Sequence, residues 1–227
     1  MDKYSILKQY YGHSAFRAGQ EELIDSILSG RDALCVMPTG GGKSLCYQIP
    51  ALLLPGITLV VSPLISLMKD QVAALKSAGV PAAYINSSLT GEQIRTVYAR
   101  TRKGAYKLIY VAPERLETNS FLSLMQEMDV SFLAVDEAHC ISQWGQDFRP
   151  SYLGIVDFIN ALPRRPIVAA YTATATKQVQ SDILRLLQLQ SPYRIVTGFD
   201  RPNLYFDVRR PKNKFSALAA LIDERRG

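Results

Sequence analysis

Cysteine is scarce in this chain. Its three copies, Cys35, Cys46 and Cys140, stand far apart, odd in number and partly inside apolar runs. That pattern excludes a disulfide framework and offers no zinc-ligand spacing, and reduced thiols fit a cytoplasmic protein. Long hydrophobic stretches are missing too: no run reaches the ~18 residues of a membrane span, and residues 1–5 lack the apolar stretch of a signal peptide. A membrane partner is therefore not expected. There is no internal repeat, no low-complexity segment and no strong excess of one charge: 26 Lys and Arg face 20 Asp and Glu, a net +6 that permits a polyanion partner without requiring one. What remains is ordinary globular composition, 48% apolar and 20% charged over 227 residues, enough for one large, well-buried domain.

Apolar residues recur at helical spacing over residues 4–11 and 20–28, with Gly12 and Gly30 punctuating the ends. From there the pattern alternates. Strands are predicted at 33–36, 58–61, 82–85, 107–111, 132–135, 167–171 and 194–196, and helices at 64–78, 90–103, 119–128, 152–162 and 177–187, with one more helix after the first strand. The strands are mostly unbroken apolar runs, as strands buried on both faces of a parallel sheet are. The expected fold is a doubly wound α/β domain, with a mostly parallel sheet and helices on both faces. Residues 198–203 break the rhythm, 204–208 read as a short strand, and 214–224 as a helix whose apolar positions Phe215, Leu218, Leu221 and Ile222 have nothing left to cover them. The predicted division is a lobe over 1–198, then a linker and the truncated start of a second lobe over 199–227.

After the first strand comes Met37-Pro38-Thr39-Gly40-Gly41-Gly42-Lys43-Ser44. A buried strand, a glycine-rich turn and a helix make a phosphate cradle. The glycines let successive N–H groups of Thr39, Gly40, Gly41 and Gly42 turn toward an anion, and the helix opening at Lys43 adds its positive end. Lys43 can reach β- and γ-phosphates, and the Ser44 hydroxyl is placed to ligate Mg²⁺. The strict pattern wants glycine where this chain has Met37, so the loop is a variant. Further on, Val135-Asp136-Glu137-Ala138-His139 follows an apolar strand. Asp136 suits Mg²⁺ held through water, and Glu137 suits orienting and deprotonating the attacking water. A kinase would also use Lys43 and Ser44, but Asp136 beside Glu137 argues for water as nucleophile.

These residues, in this order, resemble the first RecA-like lobe of a superfamily-two helicase, a P-loop NTPase, and within that group the RecQ family of DNA helicases, from about Tyr10 to Asn203. Phe16-Arg17-Ala18-Gly19-Gln20 resembles the family's adenine-reading motif. There Gln20 would pair with an adenine edge while Arg17 and His13 sandwich the ring. Ala18 stands where the family usually has proline. The stretch from Val61 to Gln71 resembles motif Ia, which implies DNA-backbone contacts from Ser62, from the helix start after Pro63 and from Lys69. Tyr110-Val111-Ala112-Pro113-Glu114-Arg115-Leu116 resembles motif Ic, with Arg115 the phosphate contact and an ion pair to Glu114 or Glu117 the competing reading. The loop from Cys140 to Pro150 is the most family-specific. Trp144, Phe148 and Arg149, together with Gln143 and Asp147, resemble a single-strand platform that couples DNA to the hydrolytic site; Gln146 replaces the family's usual histidine. Tyr171-Thr172-Ala173-Thr174-Ala175-Thr176 resembles motif III, whose hydroxyls at Thr172 and Thr174 would bond the acidic motif.

The resemblance implies ATP and Mg²⁺ as cofactors, single-stranded and partially duplex DNA as partners, and a role in DNA repair and recombination. It further implies 3′ to 5′ movement and unwinding by the full-length protein. The family's second lobe, with its arginine finger, has no counterpart here. Phosphoryl transfer without that arginine loses ~10³-fold or more in rate, so the isolated chain is expected to bind ATP, hydrolyse it poorly and not unwind DNA. An RNA helicase of the same superfamily is the nearer alternative, against which the 144–150 loop argues; a lobe that only binds nucleotide is the other.

Overall fold

Unbroken apolar strands are stable only where both faces of a sheet are covered. The computed structural model, which describes residues 1–198 and 207–225, buries them in that way. Seven strands, β1 (Ala33–Val36), β2 (Ile57–Val61), β3 (Ala82–Ile85), β4 (Leu108–Val111), β5 (Val130–Val135), β6 (Ile167–Thr172) and β7 (Tyr193–Val196), form one sheet in the order β3-β4-β2-β5-β6-β1-β7. Every pairing among the described residues is parallel, where a mostly parallel sheet was expected. β1 to β6 are buried almost throughout, whereas the edge strand β7 is half-exposed.

Helices α1 (Lys3–Tyr11), α2 (Gln20–Leu28), α3 (Lys43–Leu53), α4 (Ile65–Ser77) and α5 (Gly91–Arg102) precede β4. Helices α6 (Pro113–Leu116), α7 (Asn119–Gln126), α8 (Gly154–Ala161), α9 (Lys177–Leu186) and α10 (Lys214–Glu224) follow it. Successive strand residues point to opposite faces. Leu34, Val36, Leu133 and Val135 thus join one apolar cluster, while Ala33, Cys35, Ala134 and Tyr171 join the other. The differences from the sequence pattern are short elements: α6 opens on Pro113, and 3₁₀ turns occupy Ala138–Ile141 and Pro150–Tyr152, the second replacing the expected start of α8.

Pro50 inside α3 has no N–H, which leaves the Cys46 carbonyl without its helical donor. The Tyr171 hydroxyl donates to that oxygen at 3.2 Å, tying α3 to β6. At the N-terminal end of the sheet, Asp32 accepts from Arg165 Nη1 and Nη2 at 3.1 and 2.7 Å, from the Val168 N–H at 2.8 Å and from the Gln190 N–H at 2.7 Å. One carboxylate thereby holds the starts of β1 and β6 and the segment before β7.

α10 buries none of its residues, and Phe215, Leu218 and Ile222 are exposed. Residues 204–206 of the expected short strand, and 199–203 of the expected linker, lie outside the described residues; Asp207 and Val208 are not in a strand. No helix among the described residues is long and apolar enough to cross a membrane.

Candidate nucleotide-binding site

In a parallel sheet the loops after every strand emerge at one edge, where ligands bind in such folds. β1 continues one residue past its end, since the Met37 N–H donates to the Thr172 carbonyl at 3.1 Å. Met37 is buried and still belongs to the ladder, so a side chain is accommodated where the strict pattern has glycine. The turn proper comes next: the Gly41 N–H donates to the Pro38 carbonyl at 2.9 Å, and Gly40 and Gly42 have φ of 81° and 83°. At Gly42 the left-handed conformation favours glycine, and a Cβ there would lie 2.2 Å from Gln20 Nε2, so that the end of this side chain would have to move. Gly42 also caps α3 without a side-chain bond, which leaves the helix start open to an anion. The Lys43 ammonium bends back to the Met37 and Pro38 carbonyls at 2.9 and 3.4 Å.

Two strands along, β5 ends at Val135. The Asp136 N–H donates to the Val61 carbonyl at 2.8 Å, and the Tyr152 hydroxyl donates to the Asp136 carbonyl at 2.9 Å. Glu137 sits in the left-handed region at φ 48°, uncommon for a residue with a side chain, and its N–H donates to Asp136 Oδ1 at 3.0 Å. A cavity of about 430 Å³ is lined by His13, Arg17, Gln20, Thr39, Gly40, Gly42, Lys43, Ser44, Asp136 and Glu137. The structure thus brings together residues separated by up to more than half of the chain; Gly41, in the same loop, does not line the cavity.

Burial, with the Glu137 carboxylate alongside, raises the Asp136 carboxyl from 3.8 to about 6, against the opposing pull of the Glu137 N–H and of Lys43. A raised folded-state pKa favours folding below pH 4, and this contribution disappears as the pH climbs through 6. At neutral pH the ionised group therefore costs about 2–3 kcal/mol, at about 1.4 kcal/mol per unit. Asp136→Asn is expected to stabilise the protein by that amount at pH 7.5 and to leave it nearly unchanged at pH 4, in denaturant titrations of both proteins at both pH values. Equal stabilities at pH 7.5 would contradict the buried-charge account.

The adenine-reading expectation meets a different arrangement. Gln20 is 1% exposed. Its Oε1 accepts from the Arg17 N–H at 2.9 Å, and its Nε2 donates to the Gly41 and Gly42 carbonyls at 3.1 and 3.3 Å. A buried carboxamide must be satisfied, and the phosphate loop supplies the acceptors, so Gln20 braces that loop. The Arg17 guanidinium likewise donates to the Gly40 carbonyl, and His13 is exposed.

Because β6 lies between β1 and β5, its last residue, Thr172, reaches the acidic motif. His139, to which sequence reasoning assigned no role although it stands inside that motif, connects them: Nδ1 is 3.3 Å from Glu137 Oε2 and 2.9 Å from Thr172 Oγ1. Thr172 is buried and donates to the Thr174 carbonyl at 3.1 Å, while Thr174 is exposed. On the aromatic loop Trp144 is 75% exposed, and Phe148 is half-buried. Asp182 of α9, also unforeseen, anchors the loop: it accepts from Ser142 Oγ at 2.7 Å, and Ser142 Oγ accepts from the Trp144 N–H at 3.2 Å.

Arg149 donates to Asp147 Oδ2 at 2.7 and 3.0 Å and to the Pro63 carbonyl at 3.2 Å, which joins the loop to the start of α4. Lys69 and Gln143 are exposed. Arg115 reaches the Asn86 carbonyl at 3.5 Å and pairs with neither Glu114 nor Glu117 among the described residues. Ser62 departs from expectation. It is 1% exposed and its Oγ has no hydrogen-bond partner, because the residue closes the end of a central strand and does not face solvent.

A family model described as DEAD/DEAH box helicase matches residues 17–182. The chain is 51% identical over 211 residues to an ATP-dependent DNA helicase RecQ of Bacillus subtilis, covering 92% of this chain and 36% of that protein. It is 48% identical over 223 residues to the one of Haemophilus influenzae, covering 98% and 36%. A mouse bifunctional 3′-5′ exonuclease/ATP-dependent helicase WRN is 44% identical over 211 residues, 91% of this chain and 15% of that protein. The chain thus spans about a third of the length of the RecQ relatives. In fold it is similar to the Pyrococcus furiosus Hef helicase domain, with a TM-score of 0.62 at 21% identity over 79% of this chain and 38% of that one. It is also similar to a hypothetical ATP-dependent RNA helicase from Sulfolobus tokodaii, with a TM-score of 0.64 at 19% identity over 85% and 56%. The matched residues include the phosphate loop, the acidic motif and strands β1 to β6, and this chain, similar to RecQ helicases over about a third of their length, belongs to the DEAD/DEAH box helicase family.

Proposed function

We propose that the chain is the ATP-binding first motor lobe of a RecQ-type DNA helicase, residues 1–198 forming the lobe and 199–227 leading into a second. The observation that carries this reading is the single cavity onto which Lys43 and Ser44 open from one side and Asp136 and Glu137 from the other. In it, the Thr39 to Gly42 backbone and the start of α3 receive phosphate oxygens. Lys43 exchanges the Met37 and Pro38 carbonyls for β- and γ-phosphate oxygens. Glu137, with His139 against its carboxylate, takes the proton of the attacking water.

The donor set suits Mg²⁺: Ser44 and Asp136 offer hard oxygens in one cavity, and a buried carboxyl crowded by Glu137 favours a divalent cation. Bound there, the ion neutralises charge developing on the phosphates. Gln20 holds the loop in shape, and its remaining acceptor capacity, with Arg17 and His13 at the cavity wall, serves the adenine.

The surface formed by Lys69, Arg115, Gln143, Trp144, Phe148 and Arg149 takes single-stranded DNA next to a duplex. Ser62 is left out of it, Asp147 sets the Arg149 guanidinium, and Thr172 with Thr174 relays between this surface and Glu137. The names of the RecQ relatives support DNA over RNA. We place the protein in the cytoplasm, in DNA repair and recombination. The test is titration with a fluorescent ATP analogue and Mg²⁺: Lys43→Ala should weaken binding by about 10–100-fold, the loss of one or two charge-assisted hydrogen bonds. Undiminished affinity in that variant would refute the phosphate-loop assignment.

A further inference from the structure

Helix α3 carries two polar side chains at positions that an apolar core residue would fill. Tyr47 and Gln48 follow Ser44 by one helical turn, so they lie on its face of the helix, and both are buried. A carboxamide in that position is costly unless its N–H groups are satisfied. Gln48 Nε2 donates to the Tyr110 hydroxyl on β4 and to Gln71 Oε1 on α4, each at 2.9 Å. The Tyr47 ring meets the Tyr110 ring edge-on with centroids 6.3 Å apart, and the Tyr171 ring of β6 at 5.3 Å.

These contacts begin one helical turn after the phosphate loop and end on the helix that carries Lys69, whose start Arg149 binds through the Pro63 carbonyl. They join α3, β4 and α4, elements that the sequence separates widely, and the bond to Tyr110 is buried, where such bonds are strengthened. Gln48 stands one turn beyond Ser44 on the same helix, so a shift of the helix start when an anion engages it carries Gln48 along. Tyr110 fixes the direction of the Gln48 carboxamide, and the bond to Gln71 passes the shift to α4.

We infer that Gln48 and Tyr110 are positioning residues that hold α4 in register with Ser44, so that nucleotide at the phosphate loop changes the affinity of the 63–69 surface for single-stranded DNA. This rests on the reading of the cavity as a nucleotide site and of α4 as part of the DNA surface. The test measures the affinity for fluorescein-labelled oligothymidylate by anisotropy, with and without saturating AMP-PNP and Mg²⁺. The ratio of the two affinities should be about fivefold or more in the wild type, an ordinary coupling. In Tyr110→Phe and in Gln48→Met it should fall to within about twofold of one, while each ligand measured alone binds as before.

A role confined to packing would not move that ratio selectively. Tyr110→Phe keeps the ring and removes one buried oxygen, so it carries the test if Gln48→Met does not fold. Variants that retain the wild-type ratio, or a wild-type ratio of one with both ligands bound, overturn the inference and leave the nucleotide reading standing. A wild-type chain that binds no AMP-PNP overturns both.

Discussion

Mixed with ATP and Mg²⁺, the purified chain is expected to hold nucleotide but to turn it over about 10³-fold more slowly than a two-lobed relative, because no arginine among the described residues stands ready for the transition state. Arg17 is the arginine on the cavity wall, and its guanidinium is committed to the Gly40 carbonyl. Asp136 and Glu137 remain in place, so slow hydrolysis persists. Glu137→Gln should lower that residual rate by roughly another 10²-fold, the contribution of a positioned base, without loss of nucleotide affinity. Oligothymidylate should not restore the rate, and duplex DNA should stay unopened. Single-turnover hydrolysis followed over hours, with analogue binding in parallel, measures all of this. Fast turnover that rises with DNA would mean that one lobe completes the catalytic site by itself, and the role given to a second lobe would fall.

Asp32→Ala is expected to destabilise the protein by about 3–5 kcal/mol, the cost of leaving a buried pair half unmade. Asp32 is 3% exposed, and its carboxylate satisfies a guanidinium and two backbone N–H groups from separate segments. Its removal leaves Arg165 partly buried without a counter-charge and strands the Val168 and Gln190 N–H groups. The melting temperature should fall by roughly 6–20 °C, at about 2–4 °C per kcal/mol for a chain of this size. Asp32 lies at the end of the sheet opposite the cavity, so the folded variant should still bind nucleotide normally. Adding Arg165→Ala should cost less than the two single losses summed, since the partners act as one unit. A loss below about 1 kcal/mol, the value of an exposed pair, would contradict the assignment.

Much of the architecture is legible because it is periodic. Unbroken runs such as Ala33–Val36 and Leu108–Val111 declare strands covered on both faces, and the 3.6-residue recurrence in Ile65–Ser77 declares a helix. The phosphate loop is equally legible, since its glycines, Lys43 and Ser44 act through backbone shape and adjacency. Short elements were less so: α6 and the two 3₁₀ turns are too brief to show a period, and Pro113 and Pro150 mark their starts only in hindsight.

The residues whose surroundings the sequence does not show share another property, that their partners depend on what lies across the sheet. Ser62 looks like a surface donor beside a proline, yet the end of β2 is walled in by its neighbours. Gln20 looks like a base reader, yet the nearest acceptors belong to the loop packed on it. Asp182 and Asp32 carry no pattern of their own, and they gain partners from distant segments, as His139 gains Thr172.

The sequence by itself determined the alternation of strands and helices, the phosphate loop, the acidic pair and the family resemblance, because each is written in local spacing. Only the tertiary structure decided that β6 runs between β1 and β5, and with that choice came the Glu137–His139–Thr172 contact, while the bracing of the loop by Gln20 and the bonds of Gln48 to Tyr110 and to Gln71 on α4 likewise come from the packing. The reason is physical. Hydrophobic periodicity specifies which face of an element is buried, whereas strand order and hydrogen-bond partners follow from how the whole set of faces and unsatisfied polar groups can be closed at once.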